Sequence, residues 1–118
     1  GHVRGSRALR RNGLGTCLLN LSNFEQKPEY LSEAQEAFEQ AKRVFTRESQ
    51  PGQWAMTINN IGDVHWSLGS RGGGEKEFNE AIAHFEEAKE GFMAAGQYPL
   101  IFLLDKKIAL VREQLAQK

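Results

Sequence analysis

Shifted by 47 positions, the chain matches itself without a gap, and no other feature restricts its fold as strongly. Eleven residues between Asn12 and Gln50 meet their own kind in that register. Asn12 meets Asn59, Gly15 meets Gly62, and Leu21 meets Leu68; Glu33 and Ala34 meet Glu80 and Ala81. Phe38 and Glu39 meet Phe85 and Glu86, Ala41 and Lys42 meet Ala88 and Lys89, Phe45 meets Phe92, and Gln50 meets Gln97. Leu14 with Ile61 and Leu31 with Phe78 are conservative matches. A fixed period of about 20–50 residues signals stacked units, each burying an apolar face against the next.

Each copy reads as two helices. Leu31, Ala34, Phe38, Ala41 and Phe45 recur at three- and four-residue steps, as do Phe78, Ala81, Ile82, Phe85, Ala88 and Phe92. That spacing draws an apolar stripe down an amphipathic helix. Pro28 stands where a first-turn proline belongs, and Gly96 where the second copy should stop. The preceding helix of each copy carries Leu14, Leu18 and Leu21, or Ile58, Ile61, His65 and Leu68, with Gly15 or Gly62 at mid-helix. A mid-helix glycine costs about 1 kcal/mol relative to alanine. Its presence in both copies predicts a close helix–helix approach, faced by Ala34, Ala41, Ala81 and Ala88. After Pro99 the register continues: Ile108 falls on Ile61 and Ala109 on Gly62. There, Ile101, Leu104, Ile108, Val111 and Leu115 can cover the second copy, while Phe102, Leu103 and Leu110 lie off that face. The expectation is an all-α, antiparallel helix-turn-helix repeat array of five helices: repeat one about 5–50, repeat two about 52–97, and a C-terminal capping helix about 99–116.

At 118 residues this is one domain, read as a piece of a larger protein because it begins Gly1-His2. A single cysteine excludes an internal disulfide and fits a reducing, cytoplasmic setting. No run approaches the roughly 18 apolar residues of a membrane span. Net charge is zero, with four arginines and no acid in residues 1–24 and an excess of acid through residues 25–97. A neutral chain with an acidic middle speaks against a nucleic-acid partner, and nothing in it calls for a membrane.

No chemistry-bearing constellation stands out. In "SLGSRGGGEKE", Gly69 and Gly74 have the separation of a phosphate-binding loop, but Glu75, Lys76 and Glu77 follow. Carboxylates there would repel a phosphate, and no strand precedes. The register lays this stretch over "SNFEQKPE" of the first copy, so a mobile inter-helix connector is expected, with Glu75 opening the next helix. Cys17 is expected as a buried thiol on the first helix's apolar face. His2 reads as tag-derived, His65 as a core substitute and His84 as a surface residue. Three scattered histidines and one cysteine make no metal-ligand spacing. Glu33, Glu36, Glu39, Glu80, Glu86, Glu87 and Glu90 fall on polar helix faces, and Arg4, Arg7, Arg10 and Arg11 on a basic end. No cofactor, metal site or catalytic residue is expected.

The pairs Leu14-Gly15 and Ile61-Gly62, followed by Ala34, Phe38 and Ala41 or Ala81, Phe85 and Ala88, resemble tetratricopeptide repeats over about residues 8–115. The family period is about 34 residues, shorter than the 47 here. Arg11 and Ile58 occupy the family's tryptophan position, Leu18 and His65 its tyrosine position, and the closing prolines come late at Pro51 and Pro99. Pro51, Trp54, Ala55, Asn59, Asn60 and Gly62 are similar to a long-period variant from bacterial multi-repeat proteins. The resemblance implies a non-catalytic interaction scaffold whose first helices line a concave face for a protein or peptide partner. The implied lining is Leu9, Asn12, Thr16 and Leu19; then Met56, Asn59, Asn60, Asp63 and Trp66; then Leu103, Lys106, Lys107 and Leu110. Among these, Asn12, Thr16, Asn59, Asn60, Asp63, Trp66, Lys106 and Lys107 are the candidate partner-binding residues. Two alternatives stand beside it. One is a ligand-sensing or coupling segment of a larger signalling protein; the other is a self-association module, a homodimer through the C-terminal helix.

Overall fold

The computed structural model describes residues 2–25 and 27–117, except for the side chains of His2, Phe24, Glu25 and Pro28. The reading of His2 as tag-derived thus lies outside the described side chains. The described residues form five helices and no strand: α1 (His2–Glu25), α2 (Pro28–Val44), α3 (Pro51–Leu68), α4 (Glu75–Ala94) and α5 (Tyr98–Ala116). A proline stands in the first turn of α2, α3 and α5, where its missing N–H costs nothing. α4 ends in a two-bond cap: Gln97 N–H donates to Phe92 O at 2.9 Å and Gly96 N–H to Met93 O at 3.1 Å.

α1 packs along α2, α3 along α4, and α5 lies against α4. The molecule measures 45 × 30 × 19 Å, and its shortest dimension is close to twice the roughly 10 Å diameter of a helix. Phe38, Phe45, Phe78, Phe85 and Phe92 are its largest fully buried side chains. At about 1.5–3 kcal/mol each, their burial outweighs any surface ion pair. The latter include Lys89–Asp105 across α4 and α5, 2.6 Å apart on an exposed face.

The close approach is real, but its partner is not alanine. A Cβ on Gly15 would lie 2.5 Å from Phe38 Cε1, and one on Gly62 would lie 2.6 Å from Phe85 Cε1. Each glycine is the seat of a phenylalanine ring from the following helix. Ala34, Ala41, Ala81 and Ala88 are buried beside those rings.

α1 departs from its expected orientation. Its buried line is Ala8, Asn12, Gly15, Leu19 and Ser22, whereas Leu14 and Leu21 are 52% and 42% exposed. Cys17 is also exposed, contrary to the buried thiol expected from the sequence. The stripe of Leu14, Cys17 and Leu21 is amphipathic as its spacing indicates. Among the described residues, however, no helix packs on that side of α1. The matching Ile61 is buried because α2 lies against α3. On α5, Leu104, Ile108 and Val111 are buried, and Phe102, Leu103 and Leu110 are exposed.

The glycine-rich connector is shaped rather than merely slack. The end of α3 widens into a π-type turn over Gly69–Gly73. Gly72 at φ +108° and Gly74 at φ +75° occupy backbone regions that other residues enter only with strain. Glu75 opens α4.

These contacts separate two glycines on one helix. A Cβ on Gly13 would meet nothing within 4 Å. Gly13→Ala should therefore stabilise the fold by about 0.5–1 kcal/mol. Gly15→Ala should destabilise it by about 1–3 kcal/mol. Urea denaturation measures both; changes of the same sign would contradict the seating of Phe38.

Candidate functional site

The C-terminal ends of α1, α3 and α5 enclose a cleft of about 390 Å³. α1 gives Leu19, Asn20 and Asn23; α3 gives Asp63, Trp66 and Ser67; the connector gives Ser70 and Arg71, and α5 gives Gln114. Leu19, 8% exposed, supplies apolar surface, and the rest of the lining apart from Trp66 is amide, hydroxyl or charged. Ser67 Oγ bonds Asn23 Oδ1 at 3.3 Å across the α1–α3 wall.

Two groups hold the cleft's shape. Trp66 donates its indole N–H to Gln114 Oε1 at 2.6 Å, tying α3 to α5, and meets Phe85 edge-on with centroids 6.1 Å apart. Arg71 donates to the carbonyl of Ser22, in the last turn of α1. A cation there complements the partial negative charge of a helix C-terminus.

Beside the cleft, Lys107 donates to Asn59 Oδ1 at 2.9 Å and to Asp63 Oδ1 at 2.8 Å, and its ammonium sits 5.0 Å from the Phe85 ring centroid. Lys107 and Asp63 are 19% and 23% exposed at their side chains, so this pair is largely desolvated. Burial pushes the Asp63 carboxyl above its ordinary value of 3.8, and the charge and hydrogen bond of Lys107 offset this only in part.

The eight candidate partner-binding residues divide into groups. Asp63 and Trp66 line the cleft; Asn59, Asp63 and Lys107 are joined in one network, which spends much of their bonding capacity internally. Asn12 is buried at 9% exposure, and its Nδ2 donates to Thr57 Oγ1 at 2.9 Å. It fastens α1 to α3 instead of facing outward. Thr16 is exposed, but its hydroxyl returns to Asn12 O on its own helix at 2.9 Å. Asn60 and Lys106 have no hydrogen-bond or ion-pair partner among the described residues. Of the apolar positions, Leu9, Met56, Leu103 and Leu110 are exposed and Leu19 is buried.

Asn20, Asn23, Ser67, Ser70, Arg71 and Gln114 went unmarked by the repeat pattern. Asn20, Asn23, Ser67 and Gln114 lie four residues beyond Thr16, Leu19, Asp63 and Leu110 on the same helix faces, a spacing that could have found them. Arg71 belonged to a stretch whose glycines obscured it. A single cation inside that turn was the available signal. No protein-family model, no curated protein and no solved structure matches the chain.

Asp63 carries a direct prediction. Between pH 3.8 and its raised folded value, the folded protein keeps a proton that the unfolded chain has released. Its contribution to stability is therefore greatest below pH 3.8 and falls as pH rises through that window. Carbon-detected NMR titration of the carboxyl should give a midpoint above 3.8, raised further in Lys107→Met. A native midpoint below 3.8 would mean that the ion pair outweighs burial.

Proposed function

We propose that this protein is a non-catalytic interaction module, with a tetratricopeptide-like arrangement, that holds a peptide or protein partner on the face formed by α1, α3 and α5. The observation that carries this reading is the cleft itself. Its lining presents side-chain amides and hydroxyls around Leu19 and Trp66, with one carboxylate already matched by Lys107 and one guanidinium bonded to a helix end. Amides offer both donors and acceptors, as an extended main chain requires. The matched charges favour an uncharged backbone stretch over a strongly acidic or basic ligand. A cleft of about 390 Å³ admits one or two side chains, so Trp66 and Leu19 would contact an anchoring residue while Asn20, Asn23 and Ser67 bond its backbone. The glycine–phenylalanine seat at Gly15/Phe38 and again at Gly62/Phe85 supports the repeat-type reading.

A second reading has an observation of its own. Phe102 is 71% exposed and Leu103 and Leu110 are about half exposed on α5, with Tyr98 and Met93 exposed nearby. Such an apolar surface suits self-association. Leu103 and Leu110 belong to both readings, whereas the cleft lining and Phe102 each belong to one and test them separately.

Peptides selected from a random display library should perturb the amide signals of Asn20, Asn23, Ser67, Arg71 and Gln114. Asn23→Ala combined with Ser67→Ala should weaken them about tenfold, equal to about 1.4 kcal/mol. Selected peptides that leave those signals unmoved would overturn the cleft assignment. Light scattering addresses the second reading: a dimer that Phe102→Glu dissociates supports it, and a monomer at millimolar concentration rejects it.

A further inference from the structure

We propose that His65, Glu80 and His84 form a binding site for a transition-metal dication of the Zn2+ class, between α3 and α4. The two histidines are nineteen residues apart in the chain, which is why no ligand spacing announces them. The antiparallel pairing of α3 and α4 brings them together, and Glu80 stands one turn before His84 on the same face of α4. One donor atom from each of the three side chains lies within 4.8 Å of the others. The imidazole rings stack with centroids 5.1 Å apart and planes 20° apart.

The hydrogen bonds decide which nitrogens are available. His84 Nδ1 lies 2.8 Å from the backbone carbonyl of Glu80, which can only accept, so Nδ1 carries the proton. His65 Nδ1 lies 3.2 Å from Glu77 Oε1, and the same assignment follows for a carboxylate acceptor. In each neutral ring Nε2 is then left with a bare lone pair. A histidine whose Nδ1–H is held by a carboxylate or a backbone carbonyl is oriented as metal-ligating histidines are, with Glu77 and the Glu80 carbonyl as outer supports.

Two imidazoles and one carboxylate favour Zn2+ and its neighbours over Mg2+ or Ca2+, which prefer all-oxygen shells. Metal–ligand bonds of about 2.0–2.1 Å bring ligand atoms closer together than 4.8 Å, so the side chains must converge by rotation on binding. The three ligands leave one tetrahedral position for water or for a group from a partner.

The test uses the whole chain, stripped with EDTA and titrated with Zn2+ alone. Calorimetry should show one Zn2+ per chain with micromolar affinity, and NMR should show the ring protons of His65 and His84 shifting together. His84→Ala and Glu80→Gln should each weaken binding by tenfold or more. Glu77→Gln should weaken it about tenfold through ring orientation. His2→Ala should leave it unchanged. His65→Ala is informative only where circular dichroism shows a native fold, and the two α4 variants carry the test without it. Affinity no tighter than about 1 mM, or binding that follows His2 instead of His84 and Glu80, overturns the proposal.

Discussion

The ring of Phe85 resting on the bare backbone of Gly62 sets the distance between α3 and α4, and Phe38 on Gly15 sets the distance between α1 and α2. Rings seated this way let the helix axes approach more closely than a Cβ would permit. The exchange costs helix propensity at two mid-helix glycines and returns the burial of two phenylalanines, each the larger quantity. Phe85 also reaches past the core: its ring meets the edge of Trp66 and lies under the ammonium of Lys107. The residue that fixes the helix spacing therefore also supports two side chains at or beside the cleft.

Around that spacing, polar groups act mainly as cross-links between helices. Asn12 reaches Thr57 from α1 to α3, Trp66 reaches Gln114 from α3 to α5, and Lys107 reaches back from α5 to Asn59 and Asp63. Each is a side-chain bond in a largely water-excluded place, where an unmade bond costs more than a made one gains. The cleft is what remains where those cross-links end, at the C-terminal ends of three helices, with Arg71 bonded to the last turn of one of them. Its wall is tied together by bonds between α1, α3, α5 and the connector.

Much of the fold was legible because phenylalanine and alanine at three- and four-residue steps admit few arrangements other than a buried helix face. α2 and α4 follow from that alone, and the packed side of α5 from the same steps taken by leucine, isoleucine and valine. α1 was read less well for a physical reason: periodicity shows that Leu14, Cys17 and Leu21 share a face, but not whether another helix lies against it. Asparagine posed the same difficulty, since Asn12 and Asn20 look alike in sequence while one is buried in a cross-link and the other is exposed at the cleft. The glycine connector hid both its positive-φ geometry and Arg71. The pairing of His65 with His84 depends on how two helices align, which no local spacing encodes.

The helix spacing depends on the glycine–phenylalanine seat, and a double-mutant cycle on Gly62 and Phe85 measures that contact. Gly62→Ala and Phe85→Leu each lower stability, the first by forcing the ring aside and the second by lost burial. If the two residues share one contact, the smaller leucine makes room for the new methyl group, and the double variant loses about 1–2 kcal/mol less than the sum of the singles. Strict additivity, within about 0.3 kcal/mol, would contradict the seating of Phe85 on Gly62.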